Sequence, residues 1–135
     1  MLNGFPGELI QNRRGLRQGD PLSPMLFILV MDVLGHLVMK AEVEGLLHSL
    51  SSRTLHHRIS IYADDVVLFL RPAAEEIQVT MDLLQLFGDA SGLRNNAQKS
   101  SAFPIRCGEA DLTILHNLLP CEVSEFPCKY LGIPL

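Results

Sequence analysis

The stretch Ile59-Ser60-Ile61-Tyr62-Ala63-Asp64-Asp65-Val66-Val67-Leu68-Phe69-Leu70 constrains the fold of this chain more than any other. Two short apolar arms, rich in β-branched and aromatic residues, suit a pleated surface. Between them stand two adjacent carboxylates, and Asp favours turns because its side chain bonds nearby backbone N–H groups. The pattern predicts a tight hairpin with two acids at its tip. Neighbouring anions repel, and apolar strands solvate them poorly. Such a pair is tolerable where it faces water as an ordinary turn, or where it binds a divalent cation. The local sequence leaves both open.

A hairpin alone needs a core to lie on, and the preceding segment supplies one. Asp20-Pro21-Leu22-Ser23-Pro24 is a helix start: Asp20 caps with Pro21 in the first position, or Ser23 caps with Pro24 there. The second is preferred because Pro24 then falls where it is harmless. The helix is expected from Pro24 to about Lys40, or on to Glu44, where Gly45 can end it. Between Met25 and Lys40 all residues but Asp32, Gly35, His36 and Lys40 are apolar. Asp32, His36 and Lys40 recur every four residues and form one polar stripe. The expectation is a helix buried on most of its circumference. His36 lacks a partner at metal-ligand spacing and reads as a hydrogen-bonded or wet-edge histidine.

A second helix is predicted from Ala73 to about Ala90, with Ile77, Met81, Leu84 and Phe87 in a stripe widened by Leu83 and Leu86. Glu75 and Glu76 would sit in its first turn, where the macrodipole favours acids. Ser91-Gly92 stops it, Leu93 to Asn96 is a loop, and Ala97 to Phe103 reads as a strand carrying Lys99. Lys99 is either a surface lysine or a cation beside the acidic hairpin. Glu109 to Leu119 has a third helical pattern, Glu122 to Phe126 reads as loop or short strand, and Cys128 to Leu135 as a strand or hairpin around Gly132.

Before the first helix, Glu8-Leu9-Ile10 reads as a short strand between turns. Arg13, Arg14 and Arg17 alternate with Gly15 and Gly19. Arginine forks fit phosphates and glycine admits close backbone approach, so this is a polyphosphate loop or a solvated basic loop. Leu46 to Arg58 reads as a connection, with His56 and His57 solvated. At 135 residues the chain is one modest domain or part of a larger one, and 47% hydrophobic content supports a core. A net charge of −4 argues against a freestanding nucleic-acid binder. The longest apolar run, Met25 to Met31, is too short for a membrane span. Met1 precedes polar and turn residues rather than an apolar run, so no secretion signal is read. Three cysteines, Cys107, Cys121 and Cys128, predict reduced thiols inside a cell, and their spacing fits no zinc finger.

Taken in order, these segments resemble a known family. Gly15-Leu16-Arg17-Gln18-Gly19-Asp20-Pro21-Leu22-Ser23-Pro24, then Tyr62-Ala63-Asp64-Asp65, then Ser91-Gly92-Leu93 with Asn96, Lys99 and Ser100, are similar to reverse transcriptases of non-LTR, LINE-type retrotransposons. Phe126-Pro127-Cys128-Lys129-Tyr130-Leu131-Gly132-Ile133-Pro134-Leu135 resembles the same family, and Asn3-Gly4 with Arg14-Gly15 fits its segment before the first helix. The resemblance implies an α+β fold: a partial polymerase palm, with an antiparallel sheet whose acidic β-hairpin packs on two main helices. It implies RNA-directed DNA synthesis, a nucleotidyl transfer from a deoxynucleoside triphosphate to a DNA primer 3′-hydroxyl on an RNA template. Two Mg²⁺ ions, roughly 3.5–4 Å apart, would serve that reaction. No membrane partner is implied.

By the same resemblance Asp64 is the essential metal-binding acid and Asp65 its supporting neighbour. Tyr62 and Ala63 lie near the primer end and incoming sugar, where a small side chain at Ala63 leaves space. Gln18 and Gly19 approach the nucleotide and its pairing with the template, and Arg17 reaches phosphate. Ser23 and Pro24 hold the template side. Lys99 resembles the lysine that neutralises departing pyrophosphate, and Tyr130, Leu131 and Gly132 lie near the primer grip. The family's first metal-binding aspartate belongs to a strand upstream of the Asn3-Gly4 segment, and Glu8 does not match it. The expectation is therefore a partial domain over residues 1–135, lacking fingers, first catalytic strand and most of the thumb, and inactive in isolation.

Overall fold

The computed structural model describes residues 19–50 and 58–134. The expectations for the Glu8 strand, for Arg13, Arg14, Arg17 and Gln18, for His56 and His57 and for Leu135 lie outside the described residues. The described elements are three helices and six short strands: α1 (Leu22–Val43), β1 (Ile59–Tyr62), β2 (Asp65–Leu68), α2 (Ala74–Ser91), β3 (Ser101–Ala102), α3 (Glu109–Leu118), β4 (Glu122–Val123), β5 (Lys129–Tyr130) and β6 (Ile133–Pro134). The mixed α+β class expected from the sequence is present. A single antiparallel sheet is not found among the described residues. The described strands form three separate two-stranded ladders: β1–β2 and β5–β6 antiparallel, β3–β4 parallel. β3 to β6 are only two residues long and offer few ladder bonds to a third neighbour.

Both ends of α1 follow from local chemistry. The Leu22 N–H donates to Asp20 Oδ1 at 2.9 Å, and Pro21 is already helical at φ −60° and ψ −25°. Asp20 is thus the working cap, with Pro21 in the first position, which corrects the preference for Ser23. Pro24 then falls at the fourth position, and the Asp20 carbonyl that an N–H there would reach accepts from the Ser23 N–H at 3.1 Å instead. At the other end Gly45 takes φ +73°. Its N–H donates to the Glu42 carbonyl, and the Leu46 N–H reaches back to the Ala41 carbonyl at 2.9 Å. That pairing is a Schellman motif, which only a residue tolerant of positive φ closes without strain. It turns the chain so that Leu47 is fully buried.

The core lies between one face of α1, the acidic hairpin and α2. Met31, Leu34, Val38, Ala41, Leu47 and Phe87 are buried together, with Phe27, Ile59, Ile61, Val66, Leu68 and Leu83 packed against them. Each fully buried large apolar side chain contributes roughly 1.5–3 kcal/mol. The hairpin register pairs Ile59 with Leu68 and Ile61 with Val66, which aims these four at the helices.

Two expectations fail here. α1 is not buried on most of its circumference: Leu22, Met25, Leu26, Ile28, Leu29 and Val33 are exposed, Ile28 to 65%. Among the described residues α1 is also long and apolar enough to cross a membrane by length and composition, although little of it is buried. The longest apolar run understated this, because only Asp32, Lys40 and Glu42 carry charge in the helix and two of them lie near its C-terminal end. In α2, Ile77 and Phe87 are buried as expected, while Leu86 is exposed. The buried stripe is centred on Glu76, Thr80 and Phe87, one position round from the purely apolar pattern.

α2 ends at Gly92, in the left-handed region at φ +77°, whose N–H caps the Gly88 carbonyl. α3 opens with the Gly108 N–H donating to Asp111 Oδ2 at 2.9 Å. The β5–β6 hairpin turns through Leu131 and Gly132, both at positive φ, as a two-residue reversal requires.

Candidate active site

The acidic residues stand where the sequence puts them. β1 and β2 pair from Ile59↔Leu68 to Tyr62↔Asp65, leaving Ala63 and Asp64 as a two-residue turn. Ala63 sits at φ +49°. An alanine there is strained by roughly 1–2 kcal/mol relative to ordinary backbone. A residue without a bulky side chain nevertheless keeps the tip narrow. Tyr62, Ala63, Asp64 and Asp65 are all exposed, Tyr62 to 62%. Among the described residues neither carboxylate accepts a hydrogen bond or forms an ion pair.

The other expected site residues occupy three further places. Gly19, Ser23 and Pro24 lie at the N-terminal end of α1. Gly19 takes φ +90° with open space beside its Cα, so backbone there is accessible to a ligand. Lys99 is not on a strand: Ala97–Lys99 form one turn of 3₁₀-helix. The Asn96 side chain accepts from the Gln98 N–H at 3.0 Å and the Ser100 hydroxyl donates to the Asn96 carbonyl. These local bonds compete with ladder formation, and the strand is confined to Ser101–Ala102. β3 pairs with β4, not with the acidic hairpin, and Lys99 forms no ion pair with Asp64 or Asp65. Tyr130, Leu131 and Gly132 lie on the last hairpin. The Tyr130 Oη is buried without a hydrogen-bond partner among the described residues.

Under the hairpin lies a feature that sequence reasoning missed. Arg58 and Glu76 are each only 2% exposed. Arg58 Nη1 donates to Glu76 Oε2 at 3.2 Å and to the Phe69 carbonyl at 3.4 Å. Arg58 Nε lies 3.5 Å from Glu42 Oε1, an ion pair without hydrogen-bond geometry. Glu76 Oε1 accepts from the His48 N–H at 3.1 Å, with His48 Nδ1 3.2 Å away. The end of α1, the open end of the hairpin and the start of α2 therefore meet on one guanidinium. The signal was available: Glu76 lies seven and eleven residues before Leu83 and Phe87, on the inward stripe.

Elsewhere His36 Nδ1 lies 2.9 Å from the Asp32 carbonyl, the hydrogen-bonded histidine expected. Cys107, Cys121 and Cys128 are free, and burial pushes the Cys121 thiol above its ordinary pKa. A groove of about 460 Å³ between α2 and α3 is lined by Gln78, Asp82, Gln85, Arg94 and Leu118, away from the acidic turn. Among the described residues no three His, Cys, Asp or Glu side chains cluster to hold a metal.

A hairpin that raises paired carboxylates above a two-helix layer defines an α+β protein with an exposed acidic turn. Residues 2–135 match the reverse transcriptase (RNA-dependent DNA polymerase) family, and the chain belongs to it. That membership implies the palm and fingers region of a polymerase. The chain is 45% identical over 67 residues to an uncharacterized mitochondrial protein of Arabidopsis thaliana, covering 48% of this chain and 55% of that protein. It is 35% identical over 97 residues to the retrovirus-related Pol polyprotein of the type-2 retrotransposable element R2DM of Drosophila melanogaster, covering 72% of this chain and 8% of that polyprotein. The chain thus spans about half of the first relative and a small part of the second.

Proposed function

We propose that the chain is a palm segment of an RNA-directed DNA polymerase of the non-LTR retrotransposon class, with Asp64 and Asp65 as its metal-facing acids. The observation that carries this is the acidic pair itself, exposed at a hairpin tip and without a hydrogen-bond or ion-pair partner among the described residues, in a chain of the reverse transcriptase family. Unpartnered carboxylates at a tip are hard oxygen donors, and Mg²⁺ is commonly held by one or two carboxylates completed by waters and substrate phosphates. The donor set therefore fits. When bound, the metal would supply Lewis-acid stabilisation of phosphoryl oxygens.

In this reading Asp64 and Asp65 hold the metal, and Ala63 keeps the adjacent volume open. Tyr62 flanks the primer end and incoming sugar. Gly19, with Arg17 and Gln18, approaches the nucleotide over an RNA template, while Ser23 and Pro24 hold the template side. Lys99 neutralises pyrophosphate, and Tyr130 to Gly132 support the primer. The metal cage takes a further aspartate from another part of the polymerase, because two carboxylates on one turn are too few ligands for two ions. In this reading the segment works within that polymerase inside the cell, where its thiols stay reduced, and by itself extends no primer.

A second reading is favoured by the exposed apolar side of α1: a non-catalytic retrotransposon remnant or fragment that binds a partner there. Addition of Mn²⁺, a paramagnetic stand-in for Mg²⁺, separates the two. The polymerase reading expects selective broadening of the Ala63 to Val66 amide signals, abolished in Asp64→Asn. Uniform or absent broadening in the parent chain contradicts it.

A further inference from the structure

We propose that Arg58 is a positioning residue for the acidic turn, clamping the open end of the hairpin to both helices. The inference rests on the polymerase reading for its consequence and on geometry for its substance. Arg58 immediately precedes β1, and the Phe69 N–H donates to the Arg58 carbonyl at 2.8 Å, so the two residues close the hairpin at its base. The Arg58 guanidinium returns a bond to the Phe69 carbonyl and holds Glu76 of α2, with Glu42 of α1 beside it. One side chain therefore ties both hairpin strands to both helices.

The hairpin has little else to fix its angle. Its ladder is two strands wide, and in the described residues neither outer edge is paired. Its apolar residues Ile59, Ile61, Val66 and Leu68 give it a face to lie on, but apolar packing is non-directional. The guanidinium supplies orientation through directed donors: Nη1 serves both the Phe69 carbonyl and Glu76, while Nε and Nη2 have no hydrogen-bond partner among the described residues. The turn stands about four residues from the clamp, or roughly 13 Å at strand rise, so rotation at the base is carried to Asp64 as a displacement. Misplacement of about 1 Å can cost on the order of a hundredfold in rate.

The test separates orientation from stability. In Arg58→Met/Glu76→Leu the buried pair is replaced by apolar side chains, a change that commonly leaves stability intact. Amide hydrogen exchange and Mn²⁺ broadening are measured on the full 135-residue chain. The double variant is expected to melt close to the parent, while amides of Ile61 and Val66 exchange roughly tenfold faster and those of Val79 to Leu84 change little. Broadening at Ala63 to Val66 weakens in parallel. A folded double variant with hairpin protection equal to the parent overturns the proposal, as does a loss spread evenly over hairpin and helices. If the double variant does not fold, Arg58→Lys decides by the same comparison, because it keeps the charge and loses the fork. Unfolding of Arg58→Lys as well makes Arg58 a stability residue and overturns the proposal. Failure of the parent to show Mn²⁺ broadening counts against the polymerase reading alone, since the exchange comparison does not depend on metal.

Discussion

Replacing Glu76 by Leu removes the acceptor at the centre of the buried network while keeping similar volume. Three interactions disappear: Arg58 Nη1 at 3.2 Å, the His48 N–H at 3.1 Å and His48 Nδ1 at 3.2 Å. Arg58 is left 2% exposed, with the Phe69 carbonyl at 3.4 Å and Glu42 at 3.5 Å as its partners among the described residues. Breaking a buried pair from one side typically costs about 3–5 kcal/mol. Glu42 recovers part of that, and the unsatisfied His48 N–H adds back on the order of 1 kcal/mol. The expected loss is about 4 kcal/mol, a large share of the roughly 5–15 kcal/mol that stabilises a typical domain. With a urea slope of about 2 kcal/mol/M, the midpoint falls by roughly 2 M. Circular dichroism of parent and Glu76→Leu at low micromolar concentration measures it. A loss under about 1 kcal/mol, the value for an exposed pair, would refute the burial argument. So would failure of Arg58→Met to recover stability in the Glu76→Leu background.

Ala63→Gly relieves the φ +49° at the turn and should stabilise the hairpin by about 1 kcal/mol, read as slower amide exchange at Ile61 and Val66. Leu29→Lys, on the exposed side of α1, should cost under about 0.5 kcal/mol and reduce self-association in sedimentation. A cost above about 2 kcal/mol would show that face to be covered. Cys121 should alkylate more slowly than Cys107 at pH 8, because its raised pKa leaves less thiolate. The fold favours the neutral thiol, so its contribution to stability is present below the unfolded pKa, about 8.5, and is lost as pH rises through the folded value. Equal alkylation rates would contradict this.

Local chemistry was legible in the sequence where it is decided locally. The acidic hairpin, the stops at Gly45 and Ser91-Gly92, the third helix and the reversal at Gly132 follow from residues within a few positions of each other. What was not legible is what depends on distant partners. Glu76 reads as a helix-start acid until Arg58 is brought to it across the hairpin. Lys99 reads as part of a strand because its segment lies between the loop after Ser91-Gly92 and Pro104, yet Asn96 and Ser100 bond the backbone first. α1 reads as buried because it is apolar almost all round, and composition does not say which faces find a neighbour. The two acids were visible as a pair. Their exposure, without a hydrogen-bond or ion-pair partner among the described residues, needed the folded chain.

Templated synthesis is the direct measurement of what the acidic turn is for. Extension of a DNA primer on an RNA template with Mg²⁺ and deoxynucleoside triphosphates should be assayed for the 135-residue chain and for the longest open reading frame that contains it, each with Asp64 and with Asp64→Asn. A polymerase palm whose metal cage is completed from elsewhere predicts extension by the longer protein alone, abolished by Asp64→Asn. Extension that survives Asp64→Asn, or a longer protein that extends no primer, would contradict the assignment of this turn. Extension by the 135-residue chain, lost in Asp64→Asn, would keep the assignment and contradict the need for a further acid.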